Sequence, residues 1–155
     1  MKKFMDKDFL LDTDTAKKLF HDYAENMPIC DYHCHLSPKE IYENEQPSDI
    51  SQLWLSGDHY KWRAMRSCGV DEKYCTGDAS PKEKFVKFGE TLQYCIGNPL
   101  YHWAHIELQR YFGINTPLNK KTAAEIYDRA NDVIKNGDFR PQTLITKSNV
   151  KYVCT

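Results

Sequence analysis

Two histidines separated by one residue, His33 and His35, are the sharpest chemical signal in this sequence. They follow an apolar stretch that begins at Pro28, and a Ser-Pro helix start comes directly after them. A strand over 28–36 would point both imidazoles to one face, because side chains alternate along a strand with a period of two. Imidazole nitrogen suits zinc and other divalent transition metals. The spacing therefore predicts half of a metal site. The alternative is one histidine facing solvent and one satisfied by hydrogen bonds.

The acid in this strand, Asp31, falls on the same predicted face as the two histidines. It can accept a hydrogen bond from a ligand imidazole and so fix that ring's tautomer. It can equally be a buried acid that holds loop backbone, and the residues alone leave both roles open. Cys34 falls on the opposite face and is predicted to lie in the core.

A second dense cluster occupies residues 58–63, where an acid, an imidazole, a phenol and two cations surround a tryptophan. His59 can move protons near neutral pH, and Tyr60 can donate a hydrogen bond to an oxyanion. A cation such as Arg63 can hold a substrate carboxylate. The alternative, which the spacing alone favours, is a polar helix start anchored by Trp62.

Helices must position these two clusters, because apolar residues recur at helical spacing through most of the chain. Ser-Pro-x-Glu occurs at 37–40 and again at 80–83, and this pattern is typical of a capping box at a helix N-terminus. The sequence predicts a first strand over 28–36, a helical insertion over 37–148 and a second strand over 150–155. Two such strands form a stable sheet only if they are neighbours or pair with a missing segment. In a βα-type barrel they would be successive parallel strands with the helices inserted between them, so the expected fold class is α/β, mostly helical with two short strands.

Composition excludes several classes of protein. The chain has 155 residues and a net charge of −1, which argues against binding a phosphate backbone. No apolar run approaches the roughly 20 residues of a membrane span, and the N-terminus lacks the apolar core of a secretory signal. The six cysteines form no C-x-x-C pair and are expected to be reduced, mostly buried thiols of a cytoplasmic protein. Because the chain stops at a strand, we expect an N-terminal piece of a longer protein.

Four stretches together resemble the uronate isomerase (glucuronate isomerase) family, a divergent part of the amidohydrolase superfamily. The run GDHYKWRAMR is far more specific than the histidine pair. The resemblance covers essentially the whole chain. The stretches that carry it are residues 29–36, 54–66, 102–108 and 150–155.

The resemblance implies the N-terminal portion of a distorted (β/α)8 barrel, with 1–155 belonging to a single metal-dependent barrel domain. It implies an aldose–ketose isomerase of hexuronate catabolism that interconverts D-glucuronate and D-fructuronate, and D-galacturonate and D-tagaturonate. His33 and His35 match the metal ligands of the family's first strand, and zinc is the expected divalent metal. His59 and Tyr60 match its active-site pair for proton transfer. Arg63 is a weaker candidate for the substrate carboxylate.

Several parts of the family's pattern have no counterpart here. The family is much longer, and its late-strand aspartate, which is a metal ligand and base, is missing together with a histidine and arginines. We therefore expect this chain alone to be inactive. The full-length protein is expected to be a homo-oligomer that binds a hexuronate and neither nucleic acid nor membrane. The rival functions are another metal-dependent hydrolase of the superfamily and a non-catalytic helical binding module.

Overall fold

The computed structural model describes residues 4–155, which fold into helices and two short strands. A π-helical turn over Phe20–Ala24 continues the first α-helix. The elements are α1 (Asp14–Leu19), β1 (Ile29–Asp31), α2 (Pro38–Glu43), α3 (Ile50–Leu55), α4 (His59–Ser67), α5 (Glu72–Cys75), α6 (Pro81–Leu92), α7 (Pro99–Phe112), α8 (Ala123–Asn136), α9 (Pro141–Lys147) and β2 (Val150–Val153).

The chain divides into two compact units, each with its own internal contacts. The first unit takes the chain as far as Gln46 and includes Phe139–Thr155. It holds both strands together with α1, the π-helical turn, α2 and α9. The second unit is Pro47–Asp138 and consists of α3 to α8.

The two strands of the first unit pair in parallel, with Ile29 opposite Val150 and Asp31 opposite Val153. The Ile29 amide donates a hydrogen bond to the Asn149 carbonyl at 2.8 Å. Asn149 has a φ of 56°, a left-handed conformation that asparagine tolerates better than most residues. Its side-chain amide donates to the Met27 carbonyl at 3.1 Å, so the start of β2 holds the entry to β1.

Both strands are shorter than the sequence predicts. The first strand, predicted over 28–36, covers Ile29–Asp31, and the second, predicted over 150–155, covers Val150–Val153. The Cys154 amide closes the ladder by donating to the Asp31 carbonyl at 2.9 Å. The predicted strand is therefore wrong in its extent, and His33 and His35 lie beyond it.

The second unit is built around aromatic rings of α3 and α6. Trp54 is 4% exposed, and its ring centroid lies 5.8 Å from that of Phe85 and 6.1 Å from that of Phe88. The capping box predicted at 80–83 is present, since Ser80 and Glu83 bond each other's backbone amides. Within residues 4–155 no helix is both long and apolar enough to cross a membrane.

All six cysteines are free thiols, but they are not mostly buried as expected. Cys75 is buried, whereas Cys30, Cys68 and Cys154 are exposed. Cys34, predicted to lie in the core, is half-buried because β1 ends before it and the alternation of a strand no longer applies.

Replacing Gly89 with alanine should destabilise the second unit. A Cβ at this position of α6 would lie 2.8 Å from the Ala123 Cβ and 3.0 Å from Leu118 Cδ1. Overpacking of this kind costs about 1–3 kcal/mol, which exceeds the gain of about 1 kcal/mol in helix propensity. Chemical denaturation should show a lower free energy of unfolding for Gly89→Ala. Gly57→Ala is the control, since nothing lies within 4 Å of a Cβ there. Equal stability of the two variants would contradict the close packing of α6.

Candidate functional site

His33 and His35 lie in the irregular segment between β1 and α2, and both are exposed. Their Nε2 atoms are 3.2 Å apart and their ring planes meet at 81°. The structure therefore brings the two imidazoles together, as the sequence predicts. It does so through a loop rather than through the alternation of a strand.

Three contacts with neighbouring elements hold this segment in place. The Cys34 amide donates to the Cys154 carbonyl at 3.1 Å, so the segment still runs beside the end of β2. The Thr155 hydroxyl donates to the Leu36 carbonyl. The Ser37 hydroxyl accepts from the Glu40 amide at 3.3 Å and caps α2. The backbone is thereby held at the residue between the two histidines and directly after His35.

The separation of the two Nε2 atoms fits a shared metal ion. With Zn–N bonds of roughly 2.0–2.1 Å, two ligands of a tetrahedral ion lie about 3.3 Å apart. The observed 3.2 Å is close to that value, and it also fits a hydrogen bond from one imidazole to the other. Residues 4–155 contain no group of three or more His, Cys, Asp or Glu side chains placed to hold a metal. Among the described residues, the two imidazoles alone do not make up a metal site.

Asp31 ends β1 and is half-buried. Its backbone carbonyl accepts from the Cys154 amide at 2.9 Å. Within the described residues its carboxylate makes no hydrogen bond to either imidazole. A role for Asp31 in orienting a metal ligand stays a prediction.

The second cluster lies at the start of α4, in the second unit. The rings of His59 and Tyr60 are in contact, with centroids 4.3 Å apart and planes at 32°. The Arg63 guanidinium lies 5.4 Å from the centre of the Tyr60 ring. All three side chains are exposed, so the first turn of α4 presents an imidazole, a phenol and a cation together.

Asp58 fixes this turn as its N-cap. Its Oδ1 accepts from the Tyr60 amide at 2.9 Å and from the Lys61 amide at 3.0 Å, while its Oδ2 accepts from Lys61 Nζ at 2.5 Å. Burial raises the pKa of Asp58, but the hydrogen bonds and charge of Lys61 outweigh it and hold the pKa below its usual value. The indole of Trp62 donates to the Leu55 carbonyl at 2.7 Å, which confirms it as an anchor.

Sequence reasoning missed the surroundings of Lys61. Its three-residue spacing from Asp58 is a visible signal, since such pairs meet on a helix. Glu107 on α7 is half-buried; burial raises its pKa and the charge of Lys61 pulls that pKa back. Nothing in the local sequence pattern links Glu107 to α4, because the charge interaction joins residues that are far apart in the sequence.

His105, by contrast, has a structural role. It is 5% exposed, its Nδ1–H donates to the Tyr101 carbonyl at 2.6 Å, and its Nε2 accepts from the Leu118 amide at 2.9 Å. Both ring nitrogens are therefore occupied by backbone groups. Burial lowers the pKa of the ring, which keeps it neutral.

Comparison with known proteins gives a consistent result. A family model described as glucuronate isomerase (UxaC) matches residues 1–155. The uronate isomerase of Caldanaerobacter subterraneus subsp. tengcongensis is 59% identical over 155 residues, which are 100% of this chain and 33% of that protein. The uronate isomerase of Lachnospira eligens is also 59% identical, with the same shares covered.

Two crystal structures are similar to this chain. Uronate isomerase from Thermotoga maritima matches with a TM-score of 0.92 and 36% identity over 99% of this chain and 34% of that one. Glucuronate isomerase from Caulobacter crescentus matches with a TM-score of 0.82 and 26% identity over the same shares, 99% and 34%. The chain spans about a third of the length of the relatives it matches. The predicted fold class, the N-terminal portion of a (β/α)8 barrel that is mostly helical with two short strands, is confirmed.

The two histidines with shifted pKa values should respond to pH in opposite senses. His105 has a lowered pKa, so its stabilisation is complete above the unfolded value of about 6.5 and is lost as the pH falls below it. The Glu25 and Asp8 carboxylates accept hydrogen bonds from the His21 ring and raise its pKa, so its stabilisation is present below about 6.5 and is lost as the pH rises through the raised value. NMR titration of the ring protons should place His105 below and His21 above the usual value.

Stability measurements provide the control for this prediction. Acidification from about pH 7.5 to 5.5 should destabilise the parent protein more than a His105→Gln variant, which has no imidazole to protonate. A His105 ring that titrates at or above about 6.5 would contradict the neutral, doubly bonded state.

Proposed function

Because the chain belongs to the glucuronate isomerase family, we propose that it is the N-terminal part of an aldose–ketose isomerase that interconverts D-glucuronate and D-fructuronate. The match of the family model over all 155 residues carries the proposal. The same chemistry would interconvert D-galacturonate and D-tagaturonate. The activity is proposed for a polypeptide of the relatives' full length, and the 155-residue chain alone is expected to be inactive.

The reaction sets the groups that a site must provide. Hydrogen moves from C2 to C1 of the open-chain sugar, and a hydroxyl proton moves from O2 to O1, through an enediol-like intermediate. One group must remove the C2 proton and one must deliver a proton to C1, which is general acid–base work. A cation must hold the carboxylate at the far end of the substrate.

The first turn of α4 has side chains of these types. The His59 imidazole can take or return a proton, and the Tyr60 phenol can donate one to a sugar oxygen. Their ring centroids are 4.3 Å apart, so the two groups lie together on one helical turn. Arg63, which lies next to the Tyr60 ring, can donate hydrogen bonds from its guanidinium to the uronate carboxylate.

His33 and His35 are the residues of this chain that would hold a divalent metal ion, for which we propose zinc. When bound, such an ion polarises carbonyl or hydroxyl oxygens of the sugar. The spacing of their Nε2 atoms supports this assignment, and the further ligands would come from the rest of the full-length polypeptide. The cytoplasmic location and the homo-oligomeric state stay predictions.

A chimera tests whether this chain can serve as part of an isomerase. In it, this chain replaces the matching third of the Caldanaerobacter uronate isomerase, with which it is 59% identical. We expect the chimera to convert D-glucuronate to D-fructuronate, measured as ketose formation, while the isolated 155-residue chain does not. An insoluble chimera, or a folded one that hydrolyses lactones or amides without isomerising glucuronate, would contradict the proposal.

Two alanine variants in the active chimera separate the metal ligands from the proton-transfer pair. His33→Ala should weaken metal binding at least about tenfold, as changes around metal ligands do. His59→Ala should keep the metal and lower kcat by about 100-fold or more. Elemental analysis and steady-state kinetics measure the two effects. His102→Ala is the matched control and should change neither. Loss of metal from His59→Ala would overturn the assignment of roles.

A further inference from the structure

The first turn of α4 is held by more than its N-cap. Asp58 uses one carboxylate oxygen for two backbone amides and the other for Lys61 Nζ, at 2.5 Å. Asp49 caps α3 in the same way, accepting from two amides at 2.7 and 3.0 Å. The two caps differ in one respect. Among the salt bridges of the described residues, Asp58 pairs with a lysine of the helix that it caps, and Asp49 does not.

The side chain of Lys61 is unusually enclosed for a lysine. It is 13% exposed, whereas Lys87, which pairs with Glu90 at the same three-residue spacing in α6, is 35% exposed. Lys61 Nζ lies 5.9 Å from the ring centre of the buried Trp54. Glu107 adds a second, half-buried carboxylate whose charge interacts with Lys61 and Asp58. The enclosed cation of Lys61 thus lies against the Asp58 carboxylate.

Stability alone is a weak reason for this arrangement. Removing an ion pair from water costs free energy that its attraction often does not recover, and exposed pairs contribute about 0–1 kcal/mol. In some proteins such a pair instead fixes a defined geometry. The geometry fixed here is that of the turn bearing His59 and Tyr60, which stand between Asp58 and Lys61 in the sequence.

We propose that Asp58 and Lys61 form a charged brace, with Lys61 as the positioning residue that fixes His59 and Tyr60 for proton transfer. The proposal rests on the isomerase function proposed above. Without the cation, the Asp58 carboxylate would lose its salt bridge and would be held only by the two backbone amides that it caps. The exposed rings of His59 and Tyr60 would then sample several orientations. Misplacing a catalytic group by about 1 Å can lower the reaction rate about 100-fold.

Kinetics of the protein expressed from its intact gene test the brace. Lys61→Met keeps the length of the side chain and removes its charge. We expect kcat to fall by about 10- to 100-fold while KM stays within about threefold, because the turn is misplaced and the substrate is still held. Lys61→Arg should restore most of kcat, since it returns the charge and a donor. Lys87→Met is the matched control and should leave kcat unchanged.

A variant that keeps the cap guards against a folding defect. Asn is as good an N-cap as Asp, so Asp58→Asn should fold and still lower kcat, whereas Asp49→Asn at the matching cap of α3 should not. Full kcat in Lys61→Met would overturn the brace. So would a loss of kcat that Lys61→Arg does not restore, or one explained by an equal loss of folded protein.

Hydrogen–deuterium exchange over residues 57–66 tests the brace without activity. Lys61→Met should exchange faster there, because the Tyr60 and Lys61 amides depend on Asp58, and Lys87→Met should exchange at the parent rate. Unchanged exchange in Lys61→Met would contradict the proposal. If the parent protein lacks isomerase activity, the proposed function fails, and the exchange measurement still tests the brace.

Discussion

The parallel pairing of β1 with β2 is the constraint on which the first unit depends. The two strands lie at opposite ends of the chain, so they meet only if the chain leaves this unit and returns to it. The chain leaves the first unit after Gln46 and re-enters it at Phe139. These two residues are bonded directly, since the Phe139 amide donates to the Gln46 side-chain oxygen at 3.0 Å. Gln142 continues the join, with its amide donating to Asn44 Oδ1 at 3.0 Å. These bonds close a long loop whose entropic cost grows slowly with its length.

The two candidate clusters are held in place by different kinds of contact. The histidine pair follows a strand and is held by backbone bonds to the end of β2, so it depends on residues far away in the sequence. The pair His59 and Tyr60 begins a helix and is held by the adjacent Asp58. A change in β2 should therefore disturb His33 and His35, whereas the position of His59 and Tyr60 depends on their own unit.

Local patterns predicted the local features well. The caps at Ser37, Asp58 and Ser80 are all present, because an N-cap needs only its own first turn. The spacing of His33 and His35 predicted that they meet, but for the wrong reason. Period-two alternation requires a strand, and β1 ends before either histidine. Their approach is produced by a loop that is tied to Cys154, which no local pattern reveals.

Periodicity identifies residues that share a helix face but does not identify what covers that face. In the first helical segment Leu19, Tyr23 and Met27 recur at helical spacing, yet they are 59%, 66% and 63% exposed.

The number of metal ligands limits what the described residues do alone. Catalytic zinc sites use about three protein ligands and structural sites about four, whereas residues 4–155 bring two imidazoles together and no group of three. Two ligands bind an ion weakly, so metal loading would depend on groups supplied by the remaining two thirds of the relatives' length. The geometry of His59 and Tyr60 on α4 has no such dependence. The chain therefore carries one self-contained part of the proposed site and one part that needs completion.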